Sequence, residues 1–197
     1  PGFKIIKTNL KKLGKIYFVI SNFSHKLSQI RPSSAKSIYA SNKQEGGVIL
    51  DCVHDIDLIY NLFGKIKFKN STIASIGKEK IDSEDYANIN LLAKKNIQIS
   101  INLDFLSTWK TRGIKIVGEK GTLIWESQGK NPEVVSVKLF GRKGLINNYL
   151  NNFYLDKDYI YEEMLTDFIY SKKNTQSVKE AFEVFKIAST ARLRKYK

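Results

Sequence analysis

The chain has 197 residues, of which 42% are hydrophobic and 26% are charged, and it contains 12 glycines and 3 prolines. This composition excludes collagen-like and intrinsically disordered chains, and the length suits one globular domain with a sizeable core. The single cysteine, Cys52, excludes a disulfide scaffold and a cysteine-based metal site. No apolar run reaches the roughly 18 residues of a membrane-spanning helix, and no signal peptide is recognisable, so we expect a cytoplasmic protein without a membrane partner.

The net charge of +14 would suit a nucleic-acid partner or an anionic surface. However, 28 of the 33 basic residues are lysines, and they are spread over the whole chain. Proteins that read bases and phosphates rely more on arginine, whose planar fork matches those groups. Lys, Ile and Asn all have A/T-rich codons and fill a third of the chain, so a biased genome explains the charge equally well. We therefore expect no nucleic-acid partner and keep that function as an alternative, which the salt dependence of binding would test.

Apolar residues at helical spacing predict a first helix over 3–13, which Gly14 would end. The β-branched and aromatic run 16–23 predicts a strand. Residues 24–45 are polar, rich in serine and aperiodic, which predicts a long surface excursion, and long ordered loops are often functional.

The stretch 46–64 predicts a further helix, which Gly64 would end. One side of this helix is apolar. Its members are Val48, Ile49, Cys52, Ile56, Ile59, Tyr60 and Phe63. The opposite side combines polar residues, among them Asp51 and His54, with two leucines, so we expect that side also to contact another part of the molecule.

From residue 66 onward, apolar and polar residues alternate, as they do in antiparallel strands that bury one face. Strands are predicted over 68–76, 86–93, 97–105, 114–117, 122–125 and 134–140. Residues 94–96 and 118–121 would form hairpin turns between neighbouring strands.

Two helices are predicted near the end of the chain. Helix 159–170 is indicated by apolar residues at helical spacing, namely Ile160, Met164, Leu165, Phe168 and Ile169. A capping box at 177–180 begins the last helix, and its inward residues are Ala181, Phe182, Phe185, Ala188 and Leu193. Because no repeat or linker interrupts the chain, residues 1–197 predict one α+β domain, in which a large, mostly antiparallel sheet carries helices packed on one face.

Asp51 and His54 are the candidate catalytic residues, because a spacing of three places both side chains on one side of a helix. A carboxylate beside an imidazole orients the ring and keeps its pKa in a range useful for proton transfer. Gly46 and Gly47, just before the helix, would let the backbone approach a ligand closely. The alternative is structural: Asp51 would cap the helix, and His54 and Asp55 would only interact with its dipole.

Other chemistry has less support in the sequence. The chain holds too few His and Cys residues for a typical zinc or iron site, so we expect no metal. Cys52 falls on the apolar side of the helix, where a thiol is inert, and the sequence predicts no catalytic role for His25. No G-x-G-x-x-G and no Walker loop are present, so no residue of this chain is predicted to bind a dinucleotide cofactor.

The motif GGVILDCVHDIDLIYNLFG, at 46–64, resembles the signature helix of the glucose–fructose oxidoreductase / inositol dehydrogenase / rhizopine-catabolism (Gfo/Idh/MocA) family. Residues 84–105 and 112–126 are similar to that family's sheet and its GxxGT hairpin. The start of the chain, 1–19, and its end, 161–197, are similar to the first and last segments of the family's C-terminal domain. The resemblance covers nearly the whole chain and implies a glyceraldehyde-3-phosphate dehydrogenase-like C-terminal domain without the Rossmann domain.

The resemblance also implies a function. The full enzyme would be an NAD(P)-dependent oxidoreductase that acts on a sugar, a cyclitol or a sugar derivative, with NAD or NADP held by an N-terminal dinucleotide-binding domain that this chain lacks. This domain would bind the small-molecule substrate and form a homo-oligomer through the open face of its sheet. The chain alone is expected to hold no cofactor and to be inactive. The alternative is a non-catalytic remnant that only dimerises or binds sugars.

Carried over residue by residue, the resemblance makes His54 the catalytic acid/base and Asp51 the residue that orients it and binds a hydroxyl. Gly46, Gly47 and Asp55 would contact the substrate or shape its pocket. The spacing from Asp51 to His54 is three rather than the more common four, so the substrate can differ within the family.

Overall fold

The computed structural model describes residues 2–32, 39–79, 81–129, 133–155, 158–171 and 177–193. The helices are α1 Gly2–Asn9, α2 Leu27–Ile30, α3 Val48–Asp51, α4 Val53–Phe63, α5 Tyr159–Thr166 and α6 Val178–Leu193. The strands are β1 Ile16–Ser24, β2 Ile66–Ala74, β3 Tyr86–Ala93, β4 Ile97–Asp104, β5 Thr111–Gly118, β6 Gly121–Gln128, β7 Glu133–Gly141 and β8 Gly144–Leu155. Short 3-10 turns occupy Leu10–Leu13, Tyr39–Ser41 and Lys94–Asn96, and a π-helical turn, Asp167–Ser171, follows α5.

All eight strands form one sheet, in the order β2-β3-β4-β1-β5-β6-β7-β8. Strand β1 pairs parallel with β4 and antiparallel with β5, and every other neighbouring pair is antiparallel. One face of the sheet is buried; for example, Ile99, Val19 and Ile116 lie side by side on three adjacent strands and are at most 2% exposed. Helices α1, α3, α4 and α6 contact the sheet. The predicted architecture, a mostly antiparallel α+β sheet with helices, is therefore confirmed.

Alternation located the central strands well, because these strands bury one face and leave the other partly open. Strand β3 has the bounds predicted for it, and β4 ends one residue earlier than predicted. Gly14 and Gly64 follow helical segments with φ of +68° and +72°, a backbone conformation that favours glycine.

The segment 24–45 is not only a surface excursion, as its polar composition had indicated. It contains α2 and the 3-10 turn Tyr39–Ser41, and four of its described side chains are buried, namely His25, Leu27, Ala40 and Ser41. Residues 33–38 lie outside the described part of the chain.

The inward residues expected for the last helix are mostly wrong, and the helix before it does not bury its apolar residues. In α5 and the π-helical turn the apolar residues are exposed. They are Met164, Leu165, Phe168 and Ile169, whereas the side chain of Ile160 lies outside the described residues. In α6, Ala188 is buried as expected, whereas Ala181, Phe182, Phe185 and Leu193 are exposed. The other buried residues of α6 are Val184, Ile187 and Ala191. The large aromatic residues of α6 therefore lie on the side away from the sheet.

Candidate active site

The helix predicted over 46–64 is broken at Cys52, whose φ of −105° and ψ of 24° separate α3 from α4. Asp51 is the last residue of α3 and His54 is the second residue of α4, so the two residues belong to different helices. Both side chains nevertheless line one cavity of about 870 Å³. The structure thus brings Asp51 and His54 to the same site, by a backbone geometry that helical spacing did not predict.

The direct partner of His54 is Asp55. The carboxylate of Asp55 is 1% exposed, and its Oδ2 atom lies 3.3 Å from His54 Nε2. This contact does not have hydrogen-bond geometry, and Oδ2 has no hydrogen-bond partner among the described residues. The other carboxylate oxygen, Oδ1, accepts a hydrogen bond of 3.0 Å from Arg112 Nε. Asp55 therefore lies between His54 and Arg112, beneath the cavity rather than on its wall.

Asp51 has a different environment. Its Oδ1 accepts a hydrogen bond of 2.7 Å from the Tyr39 hydroxyl. Tyr39 and, more weakly, the charge of Asp51 raise the pKa of Arg31 above its ordinary value. Asp51 and Arg31 both line the cavity, so this carboxylate is available to a ligand hydroxyl as well as to Arg31.

Burial lowers the pKa of His54 below its ordinary value of 6.5, and this effect exceeds the opposing effect of the Asp55 charge. The side chain is 49% exposed, but it is exposed into the cavity, where protein atoms surround the ring. The Phe23 ring contacts it edge-on, with 6.1 Å between ring centroids. His54 is therefore neutral near pH 7, and a neutral imidazole can accept a proton.

Gly46 and Gly47 lie behind the cavity and are not part of its lining. A Cβ atom on Gly46 would overlap the Tyr39 carbonyl, and one on Gly47 would overlap the carboxylate of Glu84. Gly47 also has a φ of +101°. The two glycines therefore allow the turn at Tyr39–Ser41 and the loop at Glu84 to pack closely against the start of α3.

Sequence reasoning missed Arg112, which lines the cavity from β5. Its guanidinium lies over the Trp125 ring, with Cζ 5.8 Å from the ring centroid. The sequence feature that could have indicated Arg112 is the rarity of arginine, because only 5 of the 33 basic residues are arginines. Where such a lysine-rich chain has an arginine, the planar guanidinium is more useful there than a positive charge alone.

The comparisons with known proteins identify the family. A family model described as the GFO/IDH/MocA C-terminal domain matches residues 9–124. This chain belongs to that family. No curated protein matches the sequence.

Solved structures agree with the GFO/IDH/MocA C-terminal fold. An oxidoreductase from Agrobacterium radiobacter in complex with NAD+, L-tartaric acid and magnesium aligns with a TM-score of 0.72 and 16% identity over 98% of this chain and 59% of that one. The myo-inositol 2-dehydrogenase from Lactobacillus plantarum aligns with a TM-score of 0.69 and 16% identity, over 98% of this chain and 59% of that one. The WlbA dehydrogenase from Bordetella pertussis, in complex with NADH and UDP-GlcNAcA, aligns with a TM-score of 0.66 and 14% identity, over 95% of this chain and 57% of that one. The chain thus spans less than two thirds of the length of these proteins.

The described residues of this GFO/IDH/MocA domain do not fit a nicotinamide dinucleotide. Dinucleotide sites place the pyrophosphate on a glycine-rich turn between a parallel strand and a helix. Here the chain leaves β1, which forms the sheet's parallel pair with β4, through His25 and Lys26 into α2, without a glycine. Within the described ranges, no group of three or more His, Cys, Asp or Glu side chains could hold a metal ion. None of the helices in the described part of the chain is long and apolar enough to cross a membrane.

Proposed function

We propose that this chain is the substrate-binding domain of a cytoplasmic, NAD(P)-dependent oxidoreductase that acts on a sugar, a cyclitol or a sugar derivative. The observation that carries the proposal is the placement of His54 in the lining of a large cavity, against the buried carboxylate of Asp55. The family match and the dehydrogenases among the solved structures support it. A dinucleotide-binding domain elsewhere in the full protein would hold the cofactor, so residues 1–197 contribute substrate binding and proton transfer.

In this proposal His54 is the acid/base. The Asp55 carboxylate faces Nε2 and favours the tautomer that keeps its proton on that nitrogen. Nδ1 is then the nitrogen that takes the proton of a substrate hydroxyl during oxidation and returns it during reduction. Asp51 and Arg31 would bind neighbouring hydroxyls, because both line the same cavity. Gly46 and Gly47 would act indirectly, by fixing the start of α3.

The test is His54→Asn in the full-length protein, assayed by nicotinamide absorbance with a panel of sugars and cyclitols. Loss of the proton acceptor should lower kcat by about 100-fold or more while the far-UV circular dichroism spectrum stays unchanged. Asn61→Ala is a matched control on the same helix, since the exposed Asn61 amide only contacts Asp57. An unchanged kcat in His54→Asn would remove the catalytic assignment. A full-length protein that binds sugars but never transfers a hydride would favour the non-catalytic remnant instead.

We also propose that the open face of the sheet forms a homo-oligomer interface. Phe18 and Ile20 of the central strand β1 are 37% and 39% exposed on that face. Next to them, Asn88 donates hydrogen bonds to Ser100 and Asn102 across β3 and β4, so the flanking polar side chains satisfy one another. Sedimentation of the full protein should therefore give at least a dimer, and Ile20→Asp should shift it towards the monomer. A wild-type monomer would contradict this interface.

A further inference from the structure

We propose that Arg112 binds an anionic group of the substrate, so that the substrate class is sugars or cyclitols that carry a carboxylate or a phosphate. This inference rests on the function proposed above, and it adds the chemical class of the substrate and the residue that selects it. Its basis is the fixed geometry of one arginine in the wall of the cavity.

The guanidinium of Arg112 is held on two sides. Its Nε donates to Asp55 Oδ1 at 3.0 Å, and its plane lies near the Trp125 ring. These contacts leave both Nη groups without a hydrogen-bond partner among the residues that the structure describes, although the side chain is only 24% exposed. Two parallel N–H donors on a fixed plane match the two oxygens of a carboxylate or phosphate.

Two neighbouring lysines are less available for this role. Lys110 forms an ion pair with Glu133, and Lys4 forms one of 2.9 Å with Glu163. Each of these lysines lines the cavity but already has a carboxylate partner. Arg112 also has a carboxylate partner, but Asp55 contacts only its Nε atom and leaves the two Nη groups unused. An oxyanion from a ligand is therefore the partner that would satisfy the remaining donors of Arg112.

The position of Arg112 also indicates how far the anionic group of the substrate lies from the hydroxyl that reacts at His54. Arg112 and His54 contact opposite oxygens of the same buried carboxylate, at 3.0 and 3.3 Å. An oxyanion bound by the Nη groups therefore lies beside the His54 imidazole. The substrate should carry its anionic group within a few bonds of the hydroxyl that loses its proton. A carboxylate and a phosphate share the required oxygen geometry, and the experiment separates them.

The experiment is calorimetric titration of the full chain with D-glucuronate, D-glucose 6-phosphate, D-glucose and myo-inositol. An anionic sugar should bind at least about 10-fold more tightly than glucose, the low end for hydrogen bonds to charged groups. Arg112→Lys should abolish most of that difference, because lysine keeps the charge but loses the fork. Lys179→Gln is the control, since Lys179 is an exposed cation of α6 that neither lines the cavity nor lies on the sheet.

A second measurement protects the test if Arg112→Lys fails to fold. In the wild-type chain, a bound anion beside His54 should raise the pKa of the imidazole in an NMR titration, whereas a neutral sugar should not. Preference for glucuronate or for glucose 6-phosphate would support the inference and identify the anionic group. Neutral sugars that bind as tightly as both anionic ones would overturn it and leave the proposed function intact. If none of the four ligands binds, both the inference and the substrate-binding role fail.

Discussion

Helix α4 and the segment 159–171 both carry apolar residues at helical spacing, yet only α4 buries them. Ile56 and Ile59 of α4 are 0% exposed, whereas Leu165 and Phe168 are 55% and 66% exposed. Helix α4 contacts β1 and α6, while α5 is joined to α1 by the exposed ion pair between Lys4 and Glu163. The spacing of apolar residues therefore predicts which side chains share one side of a helix, but their burial requires a second surface.

The largest expected difference between the two segments is in core packing. Ile56→Ala should lower the free energy of unfolding by about 2–5 kcal/mol, because the shortened side chain leaves a cavity in a close-packed interior. Leu165→Ala, a truncation of similar size in α5, should change it by less than about 0.5 kcal/mol. Urea unfolding of both variants measures the difference. Similar losses in the two variants would mean that the side chains of α5 are covered in solution.

The second largest expected difference is in the unfolding free energy lost when one carboxylate of each segment is neutralised. Asp55→Asn removes the charge that pairs with Arg112 in a buried site, and should cost about 2–3 kcal/mol of unfolding free energy. Glu163→Gln removes an exposed partner of Lys4 and should cost less than about 1 kcal/mol. The same urea titrations test this pair, and a cost for Glu163→Gln equal to that for Asp55→Asn would contradict the contrast.

The smallest expected difference concerns pH. Because the pKa of folded His54 lies below 6.5, the unfolded chain binds a proton first as the pH falls. Stability due to neutral His54 is therefore complete above pH 6.5 and declines below it. The hydrogen bond from Lys4 lowers the pKa of Glu163 below 4.5, so its contribution declines only below that pH. Unfolding free energies at pH 5 to 8 should fall more for wild type than for His54→Asn, and parallel curves would show that His54 does not titrate as described.

The parts of the fold that could be predicted from sequence are those in which local pattern and burial agree. Strands β3 and β4 alternate cleanly because one face packs on helices. Strand β8 was not predicted, since most of its residues are exposed and its register with β7 shifts three times, so no alternation is present to detect. In α6 only Ala188 of the buried side was predicted, because the phenylalanines Phe182 and Phe185, which are exposed, indicated a different side of the helix than Val184, Ile187 and Ala191 do.

The candidate site was only half predictable for a related reason. Asp51 and His54 could be found from their spacing, and both line the cavity. The contact between Asp55 and Arg112 joins residues 57 positions apart, on a helix and a strand that no local pattern connects. Long-range pairs of this kind depend on the sheet order, which places β5 next to β1, the strand that α4 contacts.

The central position of β1 has a consequence for how the chain folds. Strands β2 to β4 and β5 to β8 are two antiparallel meanders, and β1 is the strand that links them. Its pairing brings Phe18 beside Gln98, 80 residues later in the chain. Contacts between residues so far apart in the chain form slowly, because a long loop has to be closed first. Each meander can therefore form early, and the two meanders join only when β1 pairs with both. Until then, the edges of β4 and β5 have unpaired backbone groups, and self-association should compete with folding most strongly at that stage.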